Sequence, residues 1–292
     1  MASLTSPLRE RLLRDEPLIA PGVYDAMSAL LVETAGFDAA YLSGASIAYT
    51  QLGRPDVGLV SFDHVADVLR RIRERVSIPL IVDADTGWGG ALNVQRVVQI
   101  FERAGANAIQ LEDQSFPKRC GHLDGKEVVS ASEMVEKLRA ACDARQSRET
   151  LIVARTDARA VHGLSEALDR AELYIEAGAD VLFVEALLSH EELRTCSQRL
   201  GGRVPLVANM VEGGRTPLLS AREAHEMGYK IVLAPGALVR VLVPTVRDFL
   251  RNLLEEGSTA GWSGRMLELD GLNAFLGTSE LLKSAGGSGS NR

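Results

Sequence analysis

One short run of the chain combines a thiol with cationic side chains. It consists of Lys118, Arg119, Cys120, Gly121 and His122. Nearby cations lower the pKa of a cysteine, so this thiol is suited to proton transfer or nucleophilic attack. The glycine lets the segment move, and the cations suit an anionic substrate. We therefore expect Cys120 to be catalytic, while His122 is either an acid or base or a hydrogen-bonding residue that orients the segment.

Three carboxylates form a second candidate centre. Asp83 and Asp85 follow one apolar run, and Glu112 follows the next. Alternate residues of a strand point to the same side, so Asp83 and Asp85 are expected to face the same space. Converging carboxylates repel each other unless a cation lies between them, and oxygen ligands favour Mg2+, or Mn2+, over zinc. The alternative is a hydrogen-bonded acidic network without a metal.

Two further features suit the anionic groups of a substrate. Small residues follow another apolar run: Ser43, Gly44 and Ala45. They allow backbone N–H groups to approach a carboxylate or phosphonate. Arg155 can hold a second carboxylate or oxyanion through its planar fork of donors. Its alternative role is a structural ion pair with Glu112 or Glu185.

A recurring phrase identifies the elements that position these residues. Ala-Gly followed by two residues and an apolar run occurs at Ala35, Ala104 and Ala177, with a looser copy at Met227. Each copy follows a helix-like segment, and its glycine suits the left-handed position beyond a helix C-terminus. The apolar run that follows is typical of a buried parallel strand.

Eight such apolar runs predict eight strands. They lie at 18–23, 39–42, 80–82, 108–111, 151–154, 181–184, 206–208 and 231–233. Amphipathic stretches at 65–75, 94–104, 133–144 and 165–177 predict helices between them. Eight strand–helix units match an α/β fold, the (β/α)8 barrel. A doubly wound open sheet also alternates strand and helix, but no Gly-rich dinucleotide motif follows the first run, so the barrel is preferred.

The barrel gives the polar residues after the runs a common location, because catalytic residues of such barrels follow the C-terminal ends of the strands. Singly, Asp25, Ser43 and Asp157 are also compatible with helix caps. We expect residues 1–285 to form one barrel domain with extra helices at 243–254 and 267–282. The Gly- and Ser-rich residues 286–292 are expected to be a flexible tail.

Composition narrows the class of protein. The formal net charge of −7 over 292 residues argues against nucleic-acid and membrane-surface partners. Three cysteines without paired spacing favour a reducing, cytoplasmic setting over a disulfide framework. The polar residues 1–16 predict no secretory leader, and no apolar run approaches the roughly 20 residues of a membrane span.

Several motifs resemble those of the isocitrate lyase/phosphoenolpyruvate mutase superfamily. They are Tyr41-Leu-Ser-Gly, Leu52-Gly-Arg-Pro-Asp, Val82-Asp-Ala-Asp-Thr-Gly, Glu112-Asp-Gln, Lys118-Arg-Cys-Gly-His, Ala154-Arg-Thr-Asp-Ala and Asn209-Met-Val-Glu-Gly-Gly-Arg-Thr-Pro. The motif with Cys120 resembles the lyase branch, in which the cysteine serves as the acid. Phosphoenolpyruvate mutases, phosphonopyruvate hydrolases and oxaloacetate decarboxylases lack that cysteine.

The resemblance implies an assembly, a metal and residue roles. It implies a barrel whose last helix swaps between paired subunits, in a homotetramer built as a dimer of dimers. It implies Mg2+ at Asp85, with Asp83 and Glu112 acting largely through water, and a mobile gate loop. Implied catalytic residues are Cys120, Arg155, Tyr41, His122 and Lys118. Implied substrate-binding residues are Ser43, Gly44, Ala45, Asp56, Arg119, Gly121, Glu185, Asn209 and Pro235.

These features lead to a functional hypothesis. The chain is expected to be a Mg2+-dependent lyase that cleaves a 2-hydroxy di- or tricarboxylate, of the 2-methylisocitrate or 2,3-dimethylmalate type, to pyruvate or a related 2-oxo acid plus a carboxylate. Cys120 would protonate the departing carbon, and the base is either Tyr41 or water on the metal.

The side group of this small anionic substrate is expected near Trp88, Phe116, Leu187 and Asn209. One alternative function is a phosphonomutase of the carboxyphosphonoenolpyruvate type. Another is an oxaloacetate decarboxylase or hydrolase, although Pro235 stands where the family's hydrolases have a serine. The third is a non-catalytic binding subunit.

Overall fold

Eight parallel strands form the centre of the structure. They are β1 (Leu18–Val23), β2 (Ala40–Leu42), β3 (Leu80–Asp83), β4 (Ala108–Glu112), β5 (Leu151–Thr156), β6 (Val181–Val184), β7 (Val207–Asn209) and β8 (Ile231–Ala234). Their order in the sheet is β6-β5-β4-β3-β2-β1-β8-β7. A parallel bridge between Leu182 and Leu206 joins the two ends of this order. The sheet therefore closes, and the predicted (β/α)8 barrel is confirmed.

The computed structural model describes residues 8–121 and 125–286. Packing divides the chain into two compact units, Met1–Val239 and Arg240–Arg292. The barrel lies in the first unit. His122 and the predicted tail residues 287–292 lie outside the described residues. In the described part of the chain, no helix has the length and apolar character needed to cross a bilayer.

Helices precede the barrel and connect its strands. They are α1 (Leu8–Leu13), α2 (Ala26–Thr34), α3 (Gly44–Ile47), α4 (Phe62–Arg73), α5 (Ala91–Arg103), α6 (Ala131–Ala144), α7 (Ala158–His162), α8 (Leu164–Glu176), α9 (His190–Leu200) and α10 (Ala221–Glu226). A π-helical turn, Ala48–Leu52, continues α3. The four predicted amphipathic stretches coincide with α4, α5, α6 and α8.

The glycines of the recurring phrase end helices as expected. Their φ angles are +88° at Gly36, +98° at Gly105, +104° at Gly178 and +94° at Gly228. After α5, the N–H of Ala106 donates to the carbonyl of Phe101 at 3.0 Å, and the N–H of Gly105 donates to that of Glu102 at 3.0 Å. These two bonds form a Schellman motif, a common turn at helix C-termini. The chain then turns directly into β4.

The barrel interior is apolar where the strands begin. The side chains buried together there include Leu18, Ala39, Leu151 and Ile231, which stand at or beside strand starts. Leu8 and Leu12 of α1 belong to the same cluster, so α1 covers this end of the barrel. The polar residues are consequently gathered at the opposite, C-terminal end of the strands.

The second unit is helical. It contains most of α11 (Ala237–Glu256), a 3-10 turn (Ala260–Arg265), α12 (Leu269–Leu276) and α13 (Thr278–Gly286). The rings of Phe249 and Trp262 pack edge to face with centroids 5.6 Å apart. The observed helices of this unit differ from the predicted ones in two ways. The first extra helix begins before the predicted residue 243, and the second is divided at Gly277, which has a φ of +75°.

Candidate active site

Buried polar side chains meet at the C-terminal ends of the strands. Those predicted as site residues and buried in the structure are Ser43, Asp56, Asp83, Asp85, Glu112, Lys118, Arg155, Glu185 and Asn209. Gly44 and Gly121 are buried as well, whereas Ala45 and Cys120 are half-buried and Arg119 is exposed. The structure therefore brings residues from six strand ends and from two loops together at the C-terminal end of the barrel. This end is the mouth of the barrel.

Asp83 is held by donors from three neighbouring segments. Its Oδ1 accepts hydrogen bonds from the N–H of Asp85 at 3.1 Å and from Nε2 of Gln110 at 3.3 Å. Its Oδ2 accepts from the N–H of Gly44 at 3.4 Å. The backbone of Asp85 has a φ of +43°, a left-handed conformation that is uncommon outside glycine. The N–H of Gly44, which the sequence predicted for a substrate anion, therefore faces a carboxylate of the protein.

Lys118 provides the cation beside Asp85. Its Nζ lies 2.8 Å from Oδ1 of Asp85 and 2.5 Å from Oδ1 of Asp56. Burial raises the pKa of Asp85 to about 7, against the opposing effect of Lys118. Burial alone would lower the pKa of Lys118, but Asp85 and Asp56 outweigh it and hold that pKa well above its ordinary value. The ammonium thus connects the cysteine-bearing loop to the acidic centre.

Arg155 is surrounded by three carboxylates. Its Nε lies 2.8 Å from Oδ2 of Asp157 and 3.3 Å from Oε2 of Glu112. Its Nη2 lies 3.3 Å from Oε2 of Glu185. The guanidinium also lies over the ring of Phe183, 5.0 Å from the centroid. The structural ion pairs considered in the sequence analysis are therefore present, and they fix the direction in which Arg155 points.

The acidic centre has oxygens that suit a hard cation. Oε1 of Glu112 is buried without a hydrogen-bond partner among the described residues, and burial raises the pKa of this carboxyl well above its usual range. Oδ1 of Asp85 lies within ion-pair distance of Lys118 but accepts no well-directed hydrogen bond. Across residues 8–121 and 125–286, no group of three or more acidic, His or Cys side chains is arranged to hold a metal ion by itself. A Mg2+ ion beside Asp85 and Glu112 would therefore take most of its ligands from water, as Mg2+ commonly does.

The cysteine-bearing loop leaves the barrel through a short antiparallel base. The N–H of Ser115 donates to the carbonyl of Glu127 at 2.9 Å, and the N–H of Val129 donates to that of Asp113 at 2.8 Å. The carboxamide of Gln114 donates to the carbonyl of Arg119 at 2.8 Å and accepts from its N–H at 3.0 Å. These bonds keep the first half of the loop close to the end of β4.

Gly121 contacts the mouth directly. A Cβ added at this position would lie 2.4 Å from Nη2 of Arg155 and 2.8 Å from Cγ of Glu185. A side chain has no room there, so the close approach requires glycine. The loop therefore rests on the mouth, and Cys120 is the residue immediately before the contact. His122 follows it and lies outside the described residues.

Tyr41 lies inside the barrel below the acidic centre. Its hydroxyl donates to Oε1 of Gln110 at 3.3 Å, and Gln110 in turn donates to Asp83. Burial, with a further contribution from the charge of Asp83, raises the pKa of Tyr41 well above 10. This environment disfavours the phenolate and makes Tyr41 a neutral hydrogen-bonding group near neutral pH.

Asn209 ends β7 and lies beside Glu185, which follows β6. Its Nδ2 donates to Oε2 of Glu185 at 3.0 Å, while its Oδ1 is buried without a partner in the described structure. Pro235 follows β8, and its carbonyl accepts a hydrogen bond from Oγ of Ser46 at 2.9 Å. A Cβ at Gly22 would overlap this carbonyl, so β1 and the end of β8 are in close contact.

Two residues expected near the substrate's side group have other environments. The indole N–H of Trp88 donates to the carbonyl of Val60 at 2.9 Å, and its ring packs against Phe62 and Phe101. Phe116 is 65% exposed. Leu187, by contrast, is buried near the end of β6.

Two of the three residues that were compatible with helix caps, Asp25 and Ser43, do cap helices in the structure. Asp25 forms a capping box with Ser28, and Ser43 caps α3 by accepting from the N–H of Ser46. Asp157 makes no side-chain cap bond. Its carboxylate instead binds Arg155 and Lys126, both of which are buried.

Two polar residues of the site were missed by sequence reasoning. Gln110 interrupts the apolar run of β4 two residues before Glu112. Residues two apart on a strand face the same side, so this spacing could have placed Gln110 beside the acidic centre. Lys126 had no such signal, because a lysine in a loop is usually solvated.

A closed barrel with acidic, basic and amide side chains gathered at the C-terminal ends of its strands defines a barrel enzyme. The chain belongs to the phosphoenolpyruvate phosphomutase family, which matches residues 8–254. It is therefore a member of the phosphoenolpyruvate mutase/isocitrate lyase superfamily, as its motifs predicted.

Individual relatives support this assignment. A 2-methylisocitrate lyase of Aeropyrum pernix is 49% identical over 251 residues, which cover 86% of this chain and 80% of the relative. A 2,3-dimethylmalate lyase of Eubacterium barkeri is 42% identical over 274 residues, which cover 94% of each chain. A crystal structure of 2,3-dimethylmalate lyase superposes with a TM-score of 0.92 at 37% identity, covering 99% of this chain and 96% of the other.

Proposed function

We propose that this enzyme cleaves the C2–C3 bond of a 2-hydroxy di- or tricarboxylate, of the 2-methylisocitrate or 2,3-dimethylmalate type. The products would be pyruvate or a related 2-oxo acid and a second carboxylate. Support comes from relatives that are named lyases for these two substrates, at 49% and 42% identity. The structural observation that carries the proposal is the contact of Gly121 with Arg155 and Glu185, which holds the cysteine-bearing loop against the charged mouth.

Asp85 is the proposed direct ligand of Mg2+, with Asp83 and Glu112 acting largely through water. The partnerless oxygen of Glu112 and the raised pKa of Asp85 support this assignment, because both carboxylates lack full compensation for burial. When bound, Mg2+ would lower the pKa of the substrate hydroxyl and balance the charge of the oxo-acid product. Mn2+ has the same ligand preferences and is an acceptable substitute.

The side chains of the site have separate roles in the proposed cleavage. Water at the acidic centre takes the hydroxyl proton, the O–H electron pair forms the C2=O bond of the 2-oxo acid, the C2–C3 electron pair moves to C3, and the Cys120 thiol gives its proton to C3. Arg155 and the Nδ2 donor of Asn209 would stabilise the negative charge that develops on the substrate. The high pKa of Tyr41 argues against a phenolate base and favours a neutral hydrogen-bonding role. Closure of the loop would exclude water from the departing carbanion.

We also propose that the enzyme acts in the cytoplasm, the reducing setting that its free cysteines favour. We further propose that it is a homotetramer, a dimer of dimers. Support comes from the second unit, where Leu254, Leu269 and Leu281 are among the strongly exposed apolar side chains. Large exposed apolar surfaces commonly mark contacts between protein chains.

A coupled assay tests the reaction. The protein is incubated with Mg2+ and either 2-methylisocitrate or 2,3-dimethylmalate, and pyruvate is followed by its reduction with lactate dehydrogenase. We expect pyruvate from one of the two, loss of activity with EDTA and recovery with excess Mg2+. Cys120→Ser should lower kcat by at least about a hundredfold, because a positioned acid contributes about that much or more.

Cys142→Ser is the matched control, since Cys142 lies in α6 and its thiol donates to the carbonyl of Gly178. It should keep full activity. Pyruvate formation at the parent rate in Cys120→Ser would exclude the acid role. A folded protein that releases no pyruvate from either substrate would contradict the proposed reaction and redirect the search to phosphonates.

A further inference from the structure

Lys126 is a buried cation at the far end of the cysteine-bearing loop. Its side chain is 2% exposed. Its Nζ donates to the carbonyl of Gly121 through a very short contact and to Oδ1 of Asp157 at 2.8 Å. A lysine is rarely buried so completely unless it is paired, because its charge must be compensated. Here the compensation comes from one loop carbonyl and one barrel carboxylate.

The carboxylate that binds Lys126 also binds the arginine of the mouth. Asp157 Oδ2 accepts from Nε of Arg155 at 2.8 Å, and Oδ1 accepts from Nη2 at 3.2 Å. The N–H of Asp157 donates to Oδ1 of Asp113 at 2.8 Å, which fixes its backbone to the residue that follows β4. Lys126 and Arg155 therefore share a rigid acceptor at the end of β5.

The other bond of Lys126 reaches the loop beside the thiol. Gly121 follows Cys120 and lies close to Arg155 and Glu185. A hydrogen bond to the Gly121 carbonyl therefore also restrains the position of Cys120. A hydrogen bond from an ammonium is stronger than one between neutral groups. Loss of this bond would free the loop at the point where it contacts the mouth.

We propose that Lys126 is a positioning residue, which ties the Gly121 carbonyl to Asp157 and so holds Cys120 over the mouth. The effect of Lys126 on catalysis rests on the proposed lyase function, whereas its effect on the position of Cys120 does not. Lys126 does not itself touch the reacting atoms. Asp83, Asp85 and Glu112 are held by other partners, so removal of Lys126 should leave them in place while the loop opens more often.

The test measures how quickly iodoacetamide alkylates each cysteine, resolved by peptide mass spectrometry. Lys126→Met keeps most of the length of the side chain and removes its charge and donors. We expect alkylation of Cys120 to become about tenfold faster or more, the effect of losing a charge-assisted hydrogen bond. Cys142 in the same molecule is the internal reference, and its rate should stay unchanged.

Glu127→Gln is the matched control, because Glu127 is the exposed neighbour of Lys126. It should leave both rates unchanged. If the proposed reaction is also correct, Lys126→Met should lower kcat far more than it raises KM. Loss of kcat without faster alkylation of Cys120 would overturn the positioning role, whereas faster alkylation without any lyase activity in the parent protein would refute only the proposed reaction.

Circular dichroism and the thermal transition establish that each variant is folded. Should Lys126→Met not fold, Lys126→Gln is measured instead, since its side chain is one atom shorter and uncharged, so the charge-assisted bond to the Gly121 carbonyl is lost while a polar group remains beside Asp157. Its Cys120 rate should lie between those of the parent and of an unfolded reference. A rate equal to that of the parent would overturn the proposal.

Discussion

The charged residues of the mouth are buried in groups that contain both signs of charge. Asp157 lies between Lys126 and Arg155, and Lys118 lies between Asp56 and Asp85. Taking a charge out of water costs several kcal/mol unless partners replace the lost solvation. Removing one member therefore affects the stability of the whole group as well as the role of that residue.

Asp157→Asn tests this dependence. The amide is nearly the same size but leaves two buried cations without their shared carboxylate, so we expect a loss of about 3–5 kcal/mol in the free energy of unfolding. Urea denaturation at neutral pH measures the loss. Asp15→Asn is the control, because the Asp15 side chain is fully exposed, and a loss of similar size there would contradict the argument.

The pH dependence of the same variant provides a second measurement. Burial would raise the pKa of Asp157, but Arg155 and Lys126 outweigh it and lower that pKa to about 2, below the roughly 3.9 of an unfolded aspartate. A lowered carboxyl pKa stabilises the folded state at pH values above about 4, and this contribution disappears as the pH falls towards 2. The stability difference between parent and variant should therefore narrow as the pH falls through that range.

Sequence reasoning at the residue scale found most of the polar residues of the mouth but not their partners. Residue type and position after a strand identified Asp85, Glu112 and Arg155. The sequence could not show that Lys118 reaches Asp85 or that Lys126 reaches Asp157, because each contact joins a loop to a separate strand end. Such contacts depend on loop conformation, which leaves no regular period in the sequence.

At the scale of elements, strands and amphipathic helices were predicted closely, and their ends less so. Each predicted strand lies within two residues of its observed bounds, since a buried parallel strand is a continuous apolar run. The extra helices were less regular. The first begins at Ala237 rather than at 243 and contains Pro244, and Gly277 divides the second.

The helix ends marked by the recurring phrase lead to a stability prediction. Gly36 has a φ of +88° and no atom within 4 Å of an added Cβ, so Gly36→Ala introduces backbone strain without a clash. We expect a loss of about 1–2 kcal/mol in the free energy of unfolding, the typical penalty for a left-handed residue with a Cβ. Urea denaturation followed by circular dichroism measures it.

Gly202→Ala is the matched control for this change. Gly202 also has open space around an added Cβ, but its φ is not left-handed. Alanine there should be neutral or slightly stabilising, because it restricts the unfolded chain. Equal losses in the two variants would show that the left-handed conformation is not the cause.

At the scale of the whole molecule, closure of the barrel determines which distant residues meet. The order of the strands brings Gly44, Asp83 and Glu112 to neighbouring positions, although long helical connections separate them in the chain. The fold class predicted from strand–helix alternation was therefore enough to predict a common mouth. It was not enough to predict that the loop after β4 would rest on that mouth, because barrel topology leaves loop conformation open.

The proposed Mg2+ site would link metal binding to the stability of the whole barrel. An ion that binds only the folded state stabilises it by about 2.7 kcal/mol at a concentration one hundred times Kd. For a domain of this size, that gain should raise Tm by roughly 5–10 °C. We therefore expect the thermal transition to rise with Mg2+ and to return to its original value with EDTA, at ionic strength matched with KCl.

Asp85→Asn should abolish the Mg2+-dependent rise in Tm, because it removes the charge of the proposed direct ligand while Lys118 keeps Asp56 as its partner. Asp15→Asn carries the same change in net charge on an exposed side chain and should retain the full rise. An equal rise in both variants would mean that Mg2+ acts elsewhere on the protein. No rise in the parent protein would favour the alternative in which Lys118 and Arg155 alone neutralise the carboxylates, since both cations already contact them.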